Sequence, residues 1–347
     1  MGSDSARARD TKRQLCILVP VFNEAAVLPL LMTRLDAALA TIPAEIRVLF
    51  IDDGSTDATP HELARIANND ARVGVIRLAR NFGKEVAMTA GLDHADADAV
   101  VILDADLQDP PELIRTFWAH FEQGADVAFG VRASRAGESW LKRFTAATFY
   151  RLIDRLSDTP IPRDTGDFRL MSRRAVDALR QLRERHRFMK GLFGWVGFNQ
   201  VAVAYHREPR AAGSSKFNFW KLWNFALEGI TSFSTVPLRI ATYVGLATAL
   251  VAFVYGAIII AKTLMFGEPV RGYPSLMSVM LFLGGVQLVA LGIIGEYLGR
   301  MYEESKRRPL YLISDTIGMP SRDADGAQVG GIQLSRVGVK PRGDRSQ

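Results

Sequence analysis

The sequence has too little cysteine for a disulfide framework and lacks the usual signal for export. Cys16 is the single cysteine, and its place in an apolar run predicts an inert core position. Residues 1–14 are polar and contain no apolar run of the kind found in secretory signals. We therefore expect no intrachain disulfide, no redox role, and a first domain that stays in the cytosol.

Several nucleotide- and metal-binding motifs are missing as well. Neither G-x-G-x-x-G nor G-x-x-x-x-G-K-[ST] follows a predicted strand, which argues against dinucleotide oxidoreductases and P-loop NTPases. HExxH and paired CxxC are absent, and the five histidines form no ligand-like pair. The net charge is +6 without any nucleic-acid-binding motif. We therefore expect anionic lipid and phosphorylated substrates, not nucleic acid, as the partners of this charge.

Charged residues are missing from two further stretches, 240–261 and 273–295. At about 1.5 Å per residue each stretch reaches roughly 33 Å as a helix, which matches a hydrocarbon core of about 30 Å. Two buried helices of a soluble core are the alternative, but globular helices of that length normally keep a polar stripe. The sequence therefore predicts two membrane-spanning helices.

Positive charge is distributed unequally around these two spans. The connecting loop holds only Lys262 and Arg271, whereas more cations flank the pair on its outer sides. Because cytosolic loops carry the excess of lysine and arginine, both ends of the hairpin are expected in the cytosol, in a protein of the inner (cytoplasmic) membrane. The outer cations are Lys216, Lys221, Arg239, Arg300, Lys306, Arg307 and Arg308.

The first part of the chain alternates between β-type apolar runs and helical patterns. Runs that are apolar on both faces are typical of a parallel sheet covered by crossover helices. We predict an α/β fold with a doubly wound, mainly parallel sheet, in which ligands bind beyond the carboxyl ends of the strands. The predicted strands are 15–19, 46–51, 73–78, 99–103, 126–131 and 201–206, and the first helices are 25–40, 57–68 and 84–95.

The remaining segments complete the predicted organisation. Residues 216–233 combine a spaced polar row with an aromatic and aliphatic surface, which is typical of a helix in the membrane interface, although a core helix is the alternative. The tail lacks periodicity and is predicted to be disordered from about residue 321. The predicted parts are a polar segment 1–14, an α/β domain 15–215, juxtamembrane helices 216–238, a two-helix hairpin 239–300 and a cytosolic tail 301–347.

The strongest chemical signal follows the fourth predicted strand, in residues 103–111, LDADLQDPP. Asp104 and Asp106 are two residues apart, a spacing that presents both carboxylates to the same side of an extended backbone. Their oxygens suit Mg²⁺ or Mn²⁺, which also bind substrate phosphates, and Gln108 can supply a further oxygen. An acidic loop that merely caps the next helix is the alternative.

A second acidic strand end, residues 51–57 (IDDGSTD), favours the metal interpretation. Part of this motif is structural, because Gly54 permits a sharp turn and the following polar residues cap a helix. Asp52 and Asp53 also offer acceptors to nucleobase N–H groups and ribose hydroxyls, with Asp53 the stronger candidate. The two acidic ends together predict a nucleotide- and metal-binding site.

Four motifs occur in the order VPVFNE at 19–24, IDDGSTD at 51–57, RNFGK at 80–84 and LDADLQDPP at 103–111. Together they resemble those of family 2 glycosyltransferases of GT-A fold. Later motifs, DTGDFRL at 164–170 and RFMKGLFGW at 187–195, together with two C-terminal spans, narrow the resemblance to polyprenyl-phosphate glycosyltransferases, particularly bactoprenol glucosyltransferases. Residues 214–217 (SSKF) depart from the usual ESKY, and Ser172 stands where an aspartate is frequent.

The resemblance implies inverting transfer of a sugar to undecaprenyl or decaprenyl phosphate at the cytosolic leaflet, for cell-envelope glycan modification. The donor would be UDP-glucose or a related UDP-hexose, and the assembly a homotetramer. Lys84 would assist the donor diphosphate, unless it only belongs to a solvated first helical turn. The resemblance further places Pro20, Phe22, Asn23, Glu24 and Asp53 at the nucleotide, and Asp104, Asp106 and Gln108 at the metal.

Asp167 in the DTGDFRL motif is the carboxylate that the resemblance places near the acceptor. A hydroxyl acceptor would require it as a general base. A phosphate monoester is mostly dianionic at neutral pH, since its second pKa is about 6, so it requires positioning only. Asp167 would then orient Arg169 or a sugar hydroxyl, and a purely structural role at the Gly166 turn is a further alternative.

Basic residues follow the fifth predicted strand and precede the juxtamembrane segment. We expect them to bind an acceptor phosphate at the membrane surface, although attraction to anionic lipid would explain each one equally well. The candidates for the acceptor phosphate are Arg132, Arg143, Arg169, Arg207 and Lys216.

The sequence leaves three rival functions to weigh. A GDP-mannose-dependent polyprenyl-phosphate mannose synthase shares the fold and the acceptor chemistry. A non-catalytic membrane scaffold with a nucleotide-sugar fold is disfavoured by the intact acids at the metal positions. A processive polysaccharide synthase is disfavoured because no Q-x-x-R-W motif follows the acceptor region.

Overall fold

The structure is a computed structural model that describes residues 12–132, 165–185, 187–205, 236–266 and 272–319. Three of the predicted acceptor cations, Arg143, Arg207 and Lys216, lie outside the described residues. The predicted interfacial helix and the tail beyond residue 319 also lie outside them.

The described part of the N-terminal domain is built on one mixed sheet of eight strands in the order β7-β5-β6-β4-β1-β2-β3-β8. Strands β1 to β4 pair in parallel, as the sequence predicts, and β7 pairs in parallel with β5. Strand β6 runs antiparallel to both β4 and β5. The strands are β1 (Gln14–Val21), β2 (Glu45–Asp52), β3 (Val73–Leu78), β4 (Ala99–Ile102), β5 (Val127–Arg132), β6 (Thr165–Ser172), β7 (Gln200–Tyr205) and β8 (Ile313–Ile317).

Helices cover both faces of this sheet. In β1, Leu15 and Ile17 belong to one apolar cluster and Cys16 and Leu18 to the other, as the two-residue period of a strand requires. Helices α1, α2 and α4 pack in the first cluster, and α3, α5 and α6 in the second. The helices are α1 (Leu28–Leu39), α2 (Thr59–Asn69), α3 (Lys84–His94), α4 (Ile114–Glu122), α5 (Arg173–Gln181) and α6 (Met189–Trp195), with a 3₁₀ turn at Pro111–Leu113.

Two long helices, α7 (Val236–Phe266) and α8 (Tyr273–Ser305), follow the domain. Both are long and apolar enough to cross a membrane. Their large apolar side chains are exposed, for example Phe253 at 76% and Leu264 at 82%. The alternative of two buried core helices is therefore wrong.

Strand β8 is an element that the sequence does not predict. The chain returns from α8 to the eight-stranded sheet, where β8 pairs antiparallel with β3. The Ala79 amide donates to the carbonyl of Leu312, and the Tyr311 hydroxyl donates to Asp93 Oδ2 over 2.9 Å. Residues 313–317 of the predicted tail thus belong to the α/β domain.

Candidate active site at the carboxyl edge of the sheet

A cavity of about 310 Å³ opens beyond the carboxyl ends of β1, β2 and β4. Parallel strands bring these ends to one edge, as the sequence predicts. Phe22 is 42% exposed there, which is unusual for a large aromatic side chain and leaves its ring available to a flat ligand. Among the predicted site residues, those that line the cavity are Pro20, Phe22, Glu24, Asp53, Lys84, Asp104 and Asp106.

Asn23 and Asp52 hold the loops around this cavity and are not among its lining residues. Asn23 has a φ of 57°, and its Oδ1 accepts from the Thr56 amide over 2.9 Å. The Asp52 side chain is fully buried, and its Oδ1 accepts from the Ser55 amide over 2.9 Å. Both side chains therefore fix the turn between β2 and α2.

Asp53 joins this turn to the loop before α3. Its two carboxylate oxygens accept from the Phe82 and Gly83 amides over 2.7 and 2.9 Å. Burial raises the pKa of Asp53, although these two hydrogen bonds act in the opposite direction. At Gly54, with φ of 69°, an added Cβ would lie 2.4 Å from the Arg80 carbonyl carbon. Only glycine permits the two loops to approach this closely.

Lys84 forms a bridge between two acids of the site. Its Nζ lies 2.6 Å from Asp104 Oδ1 and 2.5 Å from Asp167 Oδ2, so α3 is linked to both β4 and β6. Burial alone would lower the pKa of Lys84, but the two carboxylates outweigh it and raise that pKa. Burial likewise would raise the pKa of Asp167, but Lys84 dominates and lowers it. Asp167 is therefore ionised at neutral pH.

A second group of charges lies behind this bridge. Glu85 Oε2 accepts from the Met189 amide over 3.2 Å, and burial together with the Asp167 charge raises the pKa of Glu85 to about 7. Burial lowers the pKa of Lys190, which faces both acids. Arg169 is buried, lies 3.6 Å from the centre of the Phe193 ring, and donates to the Gly166 carbonyl. The floor of the site is thus a network of opposite charges.

The acids of the LDADLQDPP motif lie in a tight turn after β4. Leu107 has a φ of 56°, and the Gln108 amide donates to Asp106 Oδ1 over 3.2 Å. Among the described residues no group of three or more His, Cys, Asp or Glu side chains is arranged to hold a metal. Asp104 and Asp106 present hard oxygens to the same cavity, which fits a divalent cation that takes its remaining ligands from a bound diphosphate.

Arg132 lies at the end of β5, beside the start of β6, the strand that contains Asp167. Its Nε is buried without a hydrogen-bond partner among the described residues, and its Nη2 would lie 3.6 Å from a Cβ on Gly166. The nearby Tyr205 hydroxyl donates to Asp109, and burial with this bond raises the pKa of Tyr205 to about 12. The β5 and β6 ends therefore present an incompletely paired guanidinium beside Asp167.

Comparison with known proteins decides the family. Residues 16–180 match the model of glycosyl transferase family 2, and residues 236–301 match the model of the GtrB C-terminal hairpin. The chain belongs to glycosyltransferase family 2. Its mostly parallel sheet with crossover helices is the GT-A-like fold that the sequence predicts.

Relatives match this glycosyltransferase over most of its length. It is 50% identical to a bactoprenol glucosyl transferase of Shigella phage SfV over 302 residues, which are 87% of this chain and 98% of that protein. It is 48% identical to a prophage bactoprenol glucosyl transferase homolog of Escherichia coli K12, over 86% of this chain and 98% of that one. The predicted resemblance to this group is confirmed.

A solved structure of lower similarity is glucosyl-3-phosphoglycerate synthase from Mycobacterium tuberculosis, in complex with Mn²⁺, UDP-glucose and phosphoglyceric acid. The identity is 18% and the TM-score 0.42, over 63% of this chain and 78% of that chain.

Sequence reasoning missed several residues of this glycosyltransferase site. Glu85 and Lys190 were not singled out, because each reads as one charge in a short helical segment. Tyr205 and Asp109 lie 96 positions apart and meet only through the pairing of β5 with β7. The signal available for Lys190 was its place inside the RFMKGLFGW motif.

Proposed function

We propose that this glycosyltransferase moves a hexosyl group, glucose in the first instance, from a UDP-linked donor to a polyisoprenyl phosphate at the cytosolic membrane face. The observation that carries the proposal is the single cavity that brings Phe22, Asp53, Asp104 and Asp106 beside the Lys84–Asp167 pair. Relatives named bactoprenol glucosyl transferases, about 50% identical over most of the chain, support the acceptor class.

The two ends of the cavity suit two different parts of a UDP-sugar donor, the nucleobase and the diphosphate. The exposed Phe22 ring suits a nucleobase, and Glu24 and Asp53 supply acceptors near it. Asp104, Asp106 and Gln108 would hold the Mg²⁺ or Mn²⁺ ion, which supplies positive charge to the leaving diphosphate. Lys84, already on Asp104, adds a second positive charge at the same end.

In the reaction an acceptor phosphate oxygen attacks C1 of the sugar, while the bond from C1 to the donor diphosphate breaks and its electrons leave with the diphosphate. Attack from the opposite face inverts C1. The attacking phosphate carries no proton that must be removed, so Asp167, kept ionised by Lys84, acts as an orienting group. The open guanidinium edge of Arg132 is our candidate for holding the phosphate.

The membrane anchor explains why a lipid acceptor suits this site. Helices α7 and α8 expose apolar side chains over lengths that cross a bilayer, and we propose that they do so in the inner membrane with the catalytic domain cytosolic. An isoprenoid chain then stays in hydrocarbon while its phosphate reaches the protein surface. The homotetramer stays a prediction.

The test is product identification by mass spectrometry. Purified full-length protein with undecaprenyl phosphate is offered UDP-glucose, UDP-galactose and GDP-mannose separately. We expect an organic-extractable hexosyl phospholipid from a UDP sugar. Product from GDP-mannose alone would replace the donor assignment with the mannose-synthase alternative. Transferred hexose found only in water-soluble material would overturn the acceptor assignment.

A further inference from the structure

A second cavity, of about 570 Å³, lies where the end of α8 meets the catalytic domain, away from the site described above. Its wall combines the C-terminal end of α3, the segment after α5 and the turn that follows α8. Four arginines line it: Arg183, Arg185, Arg307 and Arg308. The cavity belongs to no motif of the donor or acceptor site.

The acids in this wall are already paired within the protein. Asp93 Oδ2 accepts from Arg183 over 2.8 Å and from the Tyr311 hydroxyl over 2.9 Å. Glu303 lies 2.5 Å from the Lys306 ammonium and 3.4 Å from Arg185 Nε, and Glu304 accepts from the Arg185 amide over 2.5 Å. These acids therefore do not neutralise all the arginines.

Positive charge consequently remains available to a ligand. Arg307 and Arg308 are exposed on the cavity wall, and neither forms an ion pair within 4.0 Å of a described acid. The Nη1 atom of Arg185 is buried without a hydrogen-bond partner in the described part of the chain. A buried guanidinium nitrogen without an acceptor is costly, and an anionic oxygen in the cavity would satisfy it.

The backbone at Arg307 is left-handed, just after the end of α8. Its φ is 47°, the left-handed conformation that follows many helix ends and that glycine adopts with the least strain. An arginine at this position therefore costs stability while it places a guanidinium beside the cavity.

We propose that this cavity binds a phosphate group, through the guanidinium groups of Arg185, Arg307 and Arg308. Planar guanidinium forks match the oxygen geometry of phosphate better than any other side chain. Helix α8 continues roughly 15 Å past its charge-free stretch, which places the cavity near the membrane surface but outside the hydrocarbon. Both a lipid head group and a soluble phosphate can therefore reach it. Both sources share this chemistry.

The experiment measures thermal unfolding of the full-length protein in nanodiscs. One arm titrates inorganic phosphate into phosphatidylcholine discs, and the other replaces a fraction of the lipid with phosphatidylglycerol. We expect the Tm to rise in at least one arm. A rise with inorganic phosphate assigns a soluble source, and a rise with phosphatidylglycerol alone assigns a lipid head group.

Two variants and one control separate binding from folding. Arg307→Gly removes the cation and relieves the backbone, so the Tm without ligand should not fall, whereas the apparent affinity should fall about tenfold. Arg308→Gln should lose affinity similarly. Arg239→Gln removes an exposed cation beside the other span and should change nothing. Unchanged affinity in Arg307→Gly, an equal loss in Arg239→Gln, or no Tm rise in either arm would overturn the proposal.

Discussion

Asp106 tests the metal assignment at the level of one carboxylate. Asp106→Asn keeps the shape and removes the charge, so kcat/KM should fall about a hundredfold, or about 3 kcal/mol of transition-state stabilisation. Steady-state kinetics of lipid labelling measures it. Asp36→Asn, which loses one exposed pair with Arg72, is the matched control and should stay near wild type. A near-normal Asp106→Asn enzyme would contradict the assigned role.

Removal of the metal is the companion test. With excess EDTA, Lys84 is the one cation among the described cavity-lining residues that opposes the charge on the leaving diphosphate. We therefore expect activity to be lost and to return on addition of Mg²⁺ or Mn²⁺. Radiolabel transfer to the organic phase provides the measurement. Full activity in EDTA would show that the lysine suffices.

Glu85 should make stability depend on pH. Its pKa rises from 4.5 in the unfolded chain to about 7 in the folded protein, because of burial and the Asp167 charge. The folded state thus binds the proton more tightly, so stability should decrease as pH rises from about 4.5 to 7, by about 3 kcal/mol at most.

Thermal unfolding between pH 5 and 8 measures this slope. In Glu85→Gln the decrease should be smaller, since glutamine still accepts from the Met189 amide but does not titrate. Glu122→Gln, on the exposed side of α4, is the control and should keep the wild-type slope. Identical slopes in wild type and Glu85→Gln would remove Glu85 as the cause.

Among the elements, β8 depends on a single glycine. Gly318 has a φ of 66°, and a Cβ there would lie 2.4 Å from the Val73 carbonyl oxygen. Gly318→Ala should therefore cost at least about 2 kcal/mol, from backbone strain and displacement of β8. Gly124 has a φ of 94° with open space around it, so Gly124→Ala should lose stability only through backbone strain, without a steric clash.

The comparison of these two variants in thermal unfolding isolates the contact between Gly318 and β3. We expect the lower Tm in Gly318→Ala. Equal losses would mean that β8 adapts without cost.

The elements predicted from sequence were those whose own residues carry the signal. Strands β1 to β4 are short apolar runs, and they appear within two residues of the predicted bounds. Strand β6 was missed because Asp167 and Arg169 interrupt its apolar pattern, although Arg169 is buried in the fold. Strand β8 has exposed polar residues at its centre and forms only by pairing with β3. The paired residues Ile76 and Thr316 are 240 positions apart in the sequence.

The same reasoning applies to the candidate site. The cavity-lining acids lie next to strands and were found from that position. Contacts such as Lys84 with Asp167 join residues 83 positions apart, and no local pattern records them. The charged network at the floor therefore required the structure.

The whole molecule makes a prediction about topology. Because β8 follows α8 and joins the sheet that precedes α7, both ends of the hairpin must lie on the same side of a membrane. Burial raises the pKa of the native Cys16 thiol to about 12, so it should not react with maleimide. Pro269→Cys should be labelled from outside the cell, and Ser305→Cys only after permeabilisation.

Intact-cell labelling with an impermeant maleimide provides the measurement. Labelling of Ser305→Cys from outside together with protection of Pro269→Cys would invert the topology. Labelling of both from outside would contradict a two-span hairpin.

The late position of β8 also has a consequence for biosynthesis. A ribosome must translate both apolar helices before it reaches residue 313, so the sheet is completed only after the two proposed membrane segments have been synthesised. If one of them failed to insert, β8 would emerge on the wrong side and β3 would keep an open edge, a known template for aggregation and a target for quality control. The sheet is thus completed only in a correctly inserted chain, and a misinserted chain is marked by the unpaired edge of β3.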